Sequence, residues 1–187
     1  VWQTIPTAWI KAAQARWQPR QAKGSMTMCG FDPARGGSDR SALARRHGQW
    51  FDEIVSVPGS ITDDGPKAAA FAVQHVRDGA TVPIDSIGIG SSALDFCRGV
   101  GLNVYPVVAS EGTTAVDKAG QLRFRNLRAL MYWRLREALD PTSQDPVALP
   151  PDPELFSDLA AVRYKVVTMG KEAALLMKSK DDIREEI

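Results

Sequence analysis

The chain has 187 residues, a formal net charge of +1 and 24% charged residues, which fits one domain of ordinary size with a core of its own. Nothing in that balance demands nucleic acid, a membrane or an acidic partner, so any such surface has to be local. Two cysteines, Cys29 and Cys97, exclude a disulfide framework and lack metal-ligand spacing; the expectation is a soluble, cytoplasmic protein of a reducing compartment, with both thiols buried and no bilayer span or signal peptide.

The opening IPTAWIKAAQARW places Trp9, Ile10, Ala13 and Trp17 at helical spacing after Thr7, and Pro19 ends the run. Three strand-like segments follow, MTMCGFDPA, SALARRHG and WFDEIVSVPG, and the short connections predict an antiparallel meander. TDDGPKAAAFAVQHVRDG reads as a helix capped by Thr62, with acids in its first turn and Gly79 at its close. ATVPIDSIG is then a strand, GSSALDFCRGV a helix and GLNVYPVV another strand, an alternation that implies parallel pairing. After the small-residue loop ASEGTTAVDKAGQ, expected to be mobile, come the long helix RFRNLRALMYWRLREALD and a short helix capped by Asp152 with Pro153 in its first turn. RYKVVTMGKEAALLMKSK predicts a hairpin turning at Met169-Gly170. The whole reads as three antiparallel strands and then parallel strands with crossover helices, in one mixed α/β sheet.

Two carboxylates end predicted strands: Asp32 before ProAlaArgGlyGly, and Asp85 in VPIDSIGIG. If those strands are sheet neighbours, both acids emerge at one edge, where the loops of open α/β sheets diverge and sites gather. Paired carboxylates repel unless a cation lies between them. Mg²⁺ and Mn²⁺ suit such oxygens, and two ions roughly 4 Å apart can drive phosphodiester hydrolysis. The competing reading is that each Asp is a turn residue bonding its own backbone. Asp39, in GGSDRSA, is either a turn residue or an auxiliary group beside the metals.

In this order, IPTAWIKAAQARW, GFDPARGGSDRSALARR, VPIDSIGIGSSALDF, FRNLRALMYWRLREAL, LPPDPELFSDLAAVRY and KSKDDIR resemble the C-terminal nuclease domain of the large terminase subunit of tailed bacteriophages. The resemblance implies a ribonuclease-H-like fold with an added C-terminal β-hairpin. It also implies a two-metal endonuclease using Mg²⁺ or Mn²⁺, which cuts double-stranded concatemeric DNA during genome packaging in the host cytoplasm. Asp32 matches the family's first metal-binding acid and Asp85 its second. Residues 1–24 then correspond to the lead from an ATPase domain, and 25–187 to the nuclease domain. The family's third acid lies in a Ser-Pro-Asp-type motif just after the KDDIR stretch. The chain ends at Ile187 before one, so the resemblance implies a truncated domain with an incomplete site, and Asp181 and Asp182 are not matches for the missing acid. No GxxxxGK[ST] phosphate loop occurs, so the motor belongs elsewhere in the parent protein, whose implied partners are the portal and the terminase small subunit.

For DNA, Arg35 beside Asp32 is the first choice of phosphate contact, followed by Arg128, Lys178 and Lys180. Arg123, Arg125, Arg128, Arg134 and Arg136 concentrate charge on the long helix, but its apolar stripe of Leu127, Leu130, Met131 and Leu135 equally predicts a solvated polar face. Two other functions compete with the nuclease. One is a non-catalytic docking module for the portal or small subunit. The other is a nucleotide-binding enzyme prompted by GIGSSALDF, which lacks the fingerprint's third glycine.

Overall fold

A computed structural model describes residues 1–19, 24–88 and 90–179. In chain order its elements are β1 (Trp2–Gln3), α1 (Thr7–Arg16), β2 (Met28–Asp32), β3 (Arg40–His47), β4 (Trp50–Phe51) and β5 (Val55–Pro58), with a 3₁₀ turn at Gly59–Ile61. Then follow α2 (Gly65–His75), β6 (Thr81–Asp85), α3 (Gly90–Gly99), β7 (Asn103–Val107), β8 (Arg123–Phe124), α4 (Leu127–Leu139), α5 (Pro153–Ala161), β9 (Arg163–Met169) and β10 (Glu172–Met177). The chain divides into two compact units, Gln18–Val108 and Val1–Trp17 with Ala109–Ile187.

The Gln18–Val108 unit carries a mixed sheet in the order β4-β3-β2-β6-β7, with β5 also on β3. Strands β2 to β5 form the antiparallel meander anticipated from sequence, while β2–β6 and β6–β7 are parallel. The expected third strand is split into β4 and β5 because Asp52 turns its carboxylate onto the Glu53 amide, 2.9 Å away, and interrupts the extended run. Strand alternation sends Cys29, Phe31, Val82 and Ile84 into one core with Ala68, Phe71 and Ala72 of α2 and Ala93, Leu94 and Cys97 of α3. Both thiols are buried and free, as expected. The cap of α2 is Asp64, whose Oδ1 accepts from the Lys67 amide at 2.8 Å. The predicted cap, Thr62, is instead buried, and the acids Asp63 and Asp64 precede the helix rather than sit in its first turn.

The other unit holds a second sheet, β1-β9-β10-β8. This corrects the expectation of one sheet: β10 pairs antiparallel with β9 and parallel with β8, so the C-terminal hairpin builds a sheet of its own. Its turn is Gly170-Lys171, one residue later than predicted, because Met169 pairs with Glu172 and Gly170 takes φ +64. Phe124, Ala129, Val162, Leu175 and Met177 form the core here, with Trp133 and Tyr164 packed against it. Asp152 caps α5 by accepting from the Glu154 and Leu155 amides, with Pro153 at the first position, as anticipated. The small-residue loop before α4 has internal bonds: Asp117 Oδ1 accepts from the Gln121 and Leu122 amides at 2.7 and 2.9 Å, which holds its carboxyl below the usual range. Among the described residues no helix is long and apolar enough to cross a membrane.

Candidate functional site

β2 and β6 lie side by side and run the same way, with Phe31 paired to Ile84. One residue further along each strand stand Asp32 and Asp85, the last residues of β2 and β6. Adjacent strands are about 4.8 Å apart, and registered residues of a parallel pair point to the same side. Since Phe31 and Ile84 point into the core, Asp32 and Asp85 emerge together on the opposite face. The structure therefore places these two residues side by side at the ends of neighbouring strands. Across the antiparallel pairing, Asp32 faces Ala42 and Gly30 faces Ala44, so the β3 residues directly opposite Asp32 and Gly30 are small.

Each acid is followed by a tightly specified turn. Asp85 Oδ1 accepts from the Ile87 amide at 3.1 Å, so the turn role foreseen for this residue is real and fixes its side chain. Gly88 takes φ +66 in that turn. At Gly90 a methyl group would run into the Asp85 carbonyl oxygen, so only glycine lets α3 begin so close to the end of β6. That same methyl would lie 3.8 Å from Pro33, the residue after Asp32.

The loop after Asp32 is anchored at both ends. The Ala34 amide donates to Ser41 Oγ at 2.7 Å, Ser41 Oγ lies 2.5 Å from Thr62 Oγ1, and Thr62 Oγ1 reaches the Ala34 carbonyl at 3.2 Å. At the far end the Gly59 amide donates to the Asp39 carbonyl at 3.0 Å. Asp39 itself is exposed, immediately before β3. Arg35 is exposed between these anchors and lines a cleft of about 360 Å³ with Asp63, Asp64, Gly65, Gly88, Ser91 and Ser92. Sequence reading missed the Ser41–Thr62 pair. Its signal was available, since Ser41 stands two residues before Leu43 and so takes the inward side of the strand.

The remaining predicted contacts lie elsewhere in the chain. Arg128 is half-buried in the first turn of α4, with its guanidinium carbon 5.6 Å from the Tyr132 ring centre. Lys178 is 7% exposed, and its amide donates to the Arg163 carbonyl at 2.9 Å. Lys180, Asp181 and Asp182 lie outside the described residues. Among the described residues no group of three or more His, Cys, Asp or Glu is placed to hold an ion. Asp32 and Asp85 leave two strand-end carboxylates, a number that ions such as Mg²⁺ or Mn²⁺, which keep several waters, can use.

The nuclease domain of the large terminase subunit of bacterial virus Sf6 superposes with a TM-score of 0.72, covering 99% of this chain and 91% of that one at 21% identity. The chain has the fold of a phage terminase nuclease domain. A mutant of the Sf6 domain with manganese and β-thujaplicinol matches at 0.71 and 20% identity over 100% of this chain and 92% of that one. The large terminase nuclease of thermophilic phage G20c with bound magnesium matches at 0.55 and 16% identity, covering 90% and 79%. No family model and no curated protein matches the chain. The terminase-nuclease fold accounts for the ribonuclease-H-like mixed sheet, with both strand-end acids at its centre rather than at an edge strand.

Proposed function

We propose that this chain is the nuclease domain of a viral DNA-packaging terminase, an endodeoxyribonuclease that hydrolyses phosphodiesters of double-stranded DNA with Mg²⁺ or Mn²⁺. The observation that carries the reading is the register of Asp32 and Asp85 at the ends of adjacent parallel strands, in a fold shared with metal-bearing terminase nucleases. Asp32 and Asp85 are the residues that would hold the ions. Divalent ions bound there would activate water and stabilise the leaving oxygen of a phosphodiester. The small residues Gly30, Ala42 and Ala44 leave room on the acidic face for a duplex backbone. Arg35 supplies the phosphate contact nearest the acids, which positions the backbone without reading sequence. Arg128, Lys178 and Lys180 are secondary phosphate contacts, and Asp39 an auxiliary group. Residues 1–24 lead from the ATPase domain of the parent protein and 25–187 form the nuclease domain; the portal and terminase small subunit are the partners this reading implies, within the host cytoplasm. The docking-module and nucleotide-binding readings gain no observation of their own.

Plasmid nicking in Mn²⁺ or Mg²⁺ tests the proposal. Cleavage is expected in the parent chain and a loss of roughly 100-fold or more in Asp32→Ala, in line with removing a group that organises transition-state charge. Unchanged melting temperature in that variant would assign the loss to the site. Cutting by Asp32→Ala at the parent rate would sink the assignment.

A further inference from the structure

Two hydroxyl groups, Ser41 and Thr62, are fully buried in the Gln18–Val108 unit. They lie on separate elements and meet around the Ala34 peptide, with Thr62 Oγ1 also reaching the Gly59 carbonyl at 3.5 Å. Proton counting fixes the direction of the ring. The Ala34 N–H occupies Ser41 Oγ as an acceptor. The Ala34 and Gly59 carbonyls, 3.2 and 3.5 Å from Thr62 Oγ1, can only accept, so the single Thr62 proton is spent on them. The proton between the two hydroxyls is therefore Ser41's. Every donor of the ring is used and every oxygen in it accepts a bond, which is the condition under which a buried polar network rigidifies its surroundings.

What is rigidified is one peptide, two residues beyond Asp32 and one before Arg35. The loop 33–39 contains Gly36 and Gly37 at φ +130 and +69, the most permissive backbone it has. Those glycines lie beyond Ala34, between the hydroxyl ring and the Asp39–Gly59 bond. The 3₁₀ turn closes on them so tightly that a methyl at Gly59 would lie 2.6 Å from the Gly36 nitrogen. The ring thus separates a flexible turn from the strand end that carries the metal-binding acid. A fold needing only a closed loop could place its anchor anywhere along it; this one is placed beside Asp32.

We infer that Ser41 and Thr62 are positioning residues for the metal centre: through the Ala34 peptide they hold the Asp32 carboxylate and the Arg35 side chain in the geometry that a divalent ion and a phosphate require. The inference rests on the metal-binding reading given above. Neither hydroxyl touches the ion or the substrate. Each acts by removing freedom from a neighbour that does, and sites tolerate only about 0.5 Å of such freedom.

The test is Mn²⁺ binding to the whole chain, followed by electron paramagnetic resonance, beside thermal unfolding of the same samples. Thr62→Val keeps the side-chain shape and removes the hydroxyl, and Thr62→Ser keeps the hydroxyl and removes the methyl. Thr62→Val is expected to weaken Mn²⁺ binding roughly tenfold, the scale on which support residues around a metal act, while Thr62→Ser stays within about twofold of the parent. Ser41→Ala opens the ring at its other hydroxyl and is read the same way, and it is the deciding variant should Thr62→Val not fold. If the variants lower the melting temperature yet bind Mn²⁺ as the parent does, the hydroxyls only brace the loop and the inference is wrong. The underlying reading fails differently: the parent chain takes up no Mn²⁺, or Asp32→Asn takes it up equally well, and both proposals then fall together.

Discussion

Cys29 and Cys97 sit in one core cluster, one on β2 and the other on α3. Burial pushes both thiols from the ordinary 9.0 to about 11, and for Cys29 the nearby Arg45 guanidinium opposes the rise without cancelling it. A thiol whose folded pKa is raised favours the folded state fully below its unfolded pKa, and that contribution is lost as pH climbs toward the folded value. The window is therefore from about 9 to about 11. Melting temperature is expected to fall across it more steeply in the parent than in a Cys29→Ala, Cys97→Ala double variant, in which the two titrations are absent. Equal slopes would show that lysine and tyrosine titration account for the whole decline. At this scale the sequence was readable where a residue's chemistry is self-sufficient, as for two small apolar thiols. It was unreadable where partners come from far along the chain. Thr62 stood in a sound capping position, but Asp64, two residues later, bonds the first turn, which left Thr62 for the Ala34 peptide.

Helix α4 carries the arginines from which a basic face was anticipated, and their pairing shows how an element's context redirects charge. Arg123, in β8 just ahead of the helix, meets Glu172 at 2.7 Å, and Arg134 reaches Glu137 at 3.0 Å and the Val116 carbonyl at 2.8 Å. Arg136 goes furthest from a solvated role. Its guanidinium lies 5.0 Å from the Trp9 ring centre and 4.9 Å from that of Trp133, and it donates to the Thr4 carbonyl. Trp133 in turn stacks edge-on against Tyr164 of β9, 5.5 Å away. Arg136 therefore joins α1 to α4, with its charge facing two aromatic rings and its stem covering apolar surface. Arg136→Ala is expected to cost about 2 kcal/mol in unfolding free energy, and Arg136→Lys most of that, since an ammonium has no planar face to stack. Chemical denaturation of the two variants measures it; a loss below about 0.5 kcal/mol, the scale of an ordinary surface substitution, would return Arg136 to the solvated face. The helix itself was legible from its apolar spacing, whereas the destination of Arg136 depended on Trp9 and Thr4, more than a hundred residues away in sequence.

At the scale of the whole molecule, the alternation of strands and helices was enough to anticipate the meander, the parallel crossovers and the hairpin, because each follows from local period and short connections. The second sheet was not legible: β1 and β8 are two residues each, and their pairing with β9 and β10 is fixed by tertiary register rather than by pattern. The division into units bears directly on the site. Asp32, Asp85, Arg35, the Ala34 ring and the glycine at position 90 all belong to Gln18–Val108, one uninterrupted segment with its own core from Met26 to Val104. A segment that closes its own core and pairs its own strands has the physical requirements of an independent folding unit. Expressed alone, Gln18–Val108 is expected to unfold cooperatively and to bind Mn²⁺ within about tenfold of the whole chain, because both carboxylates and their supports are internal to it. Circular dichroism on heating and Mn²⁺ titration of the fragment provide the check. A fragment that folds and takes no Mn²⁺ would place a required ligand outside this segment, whereas one that does not fold would show that its core needs the rest of the chain.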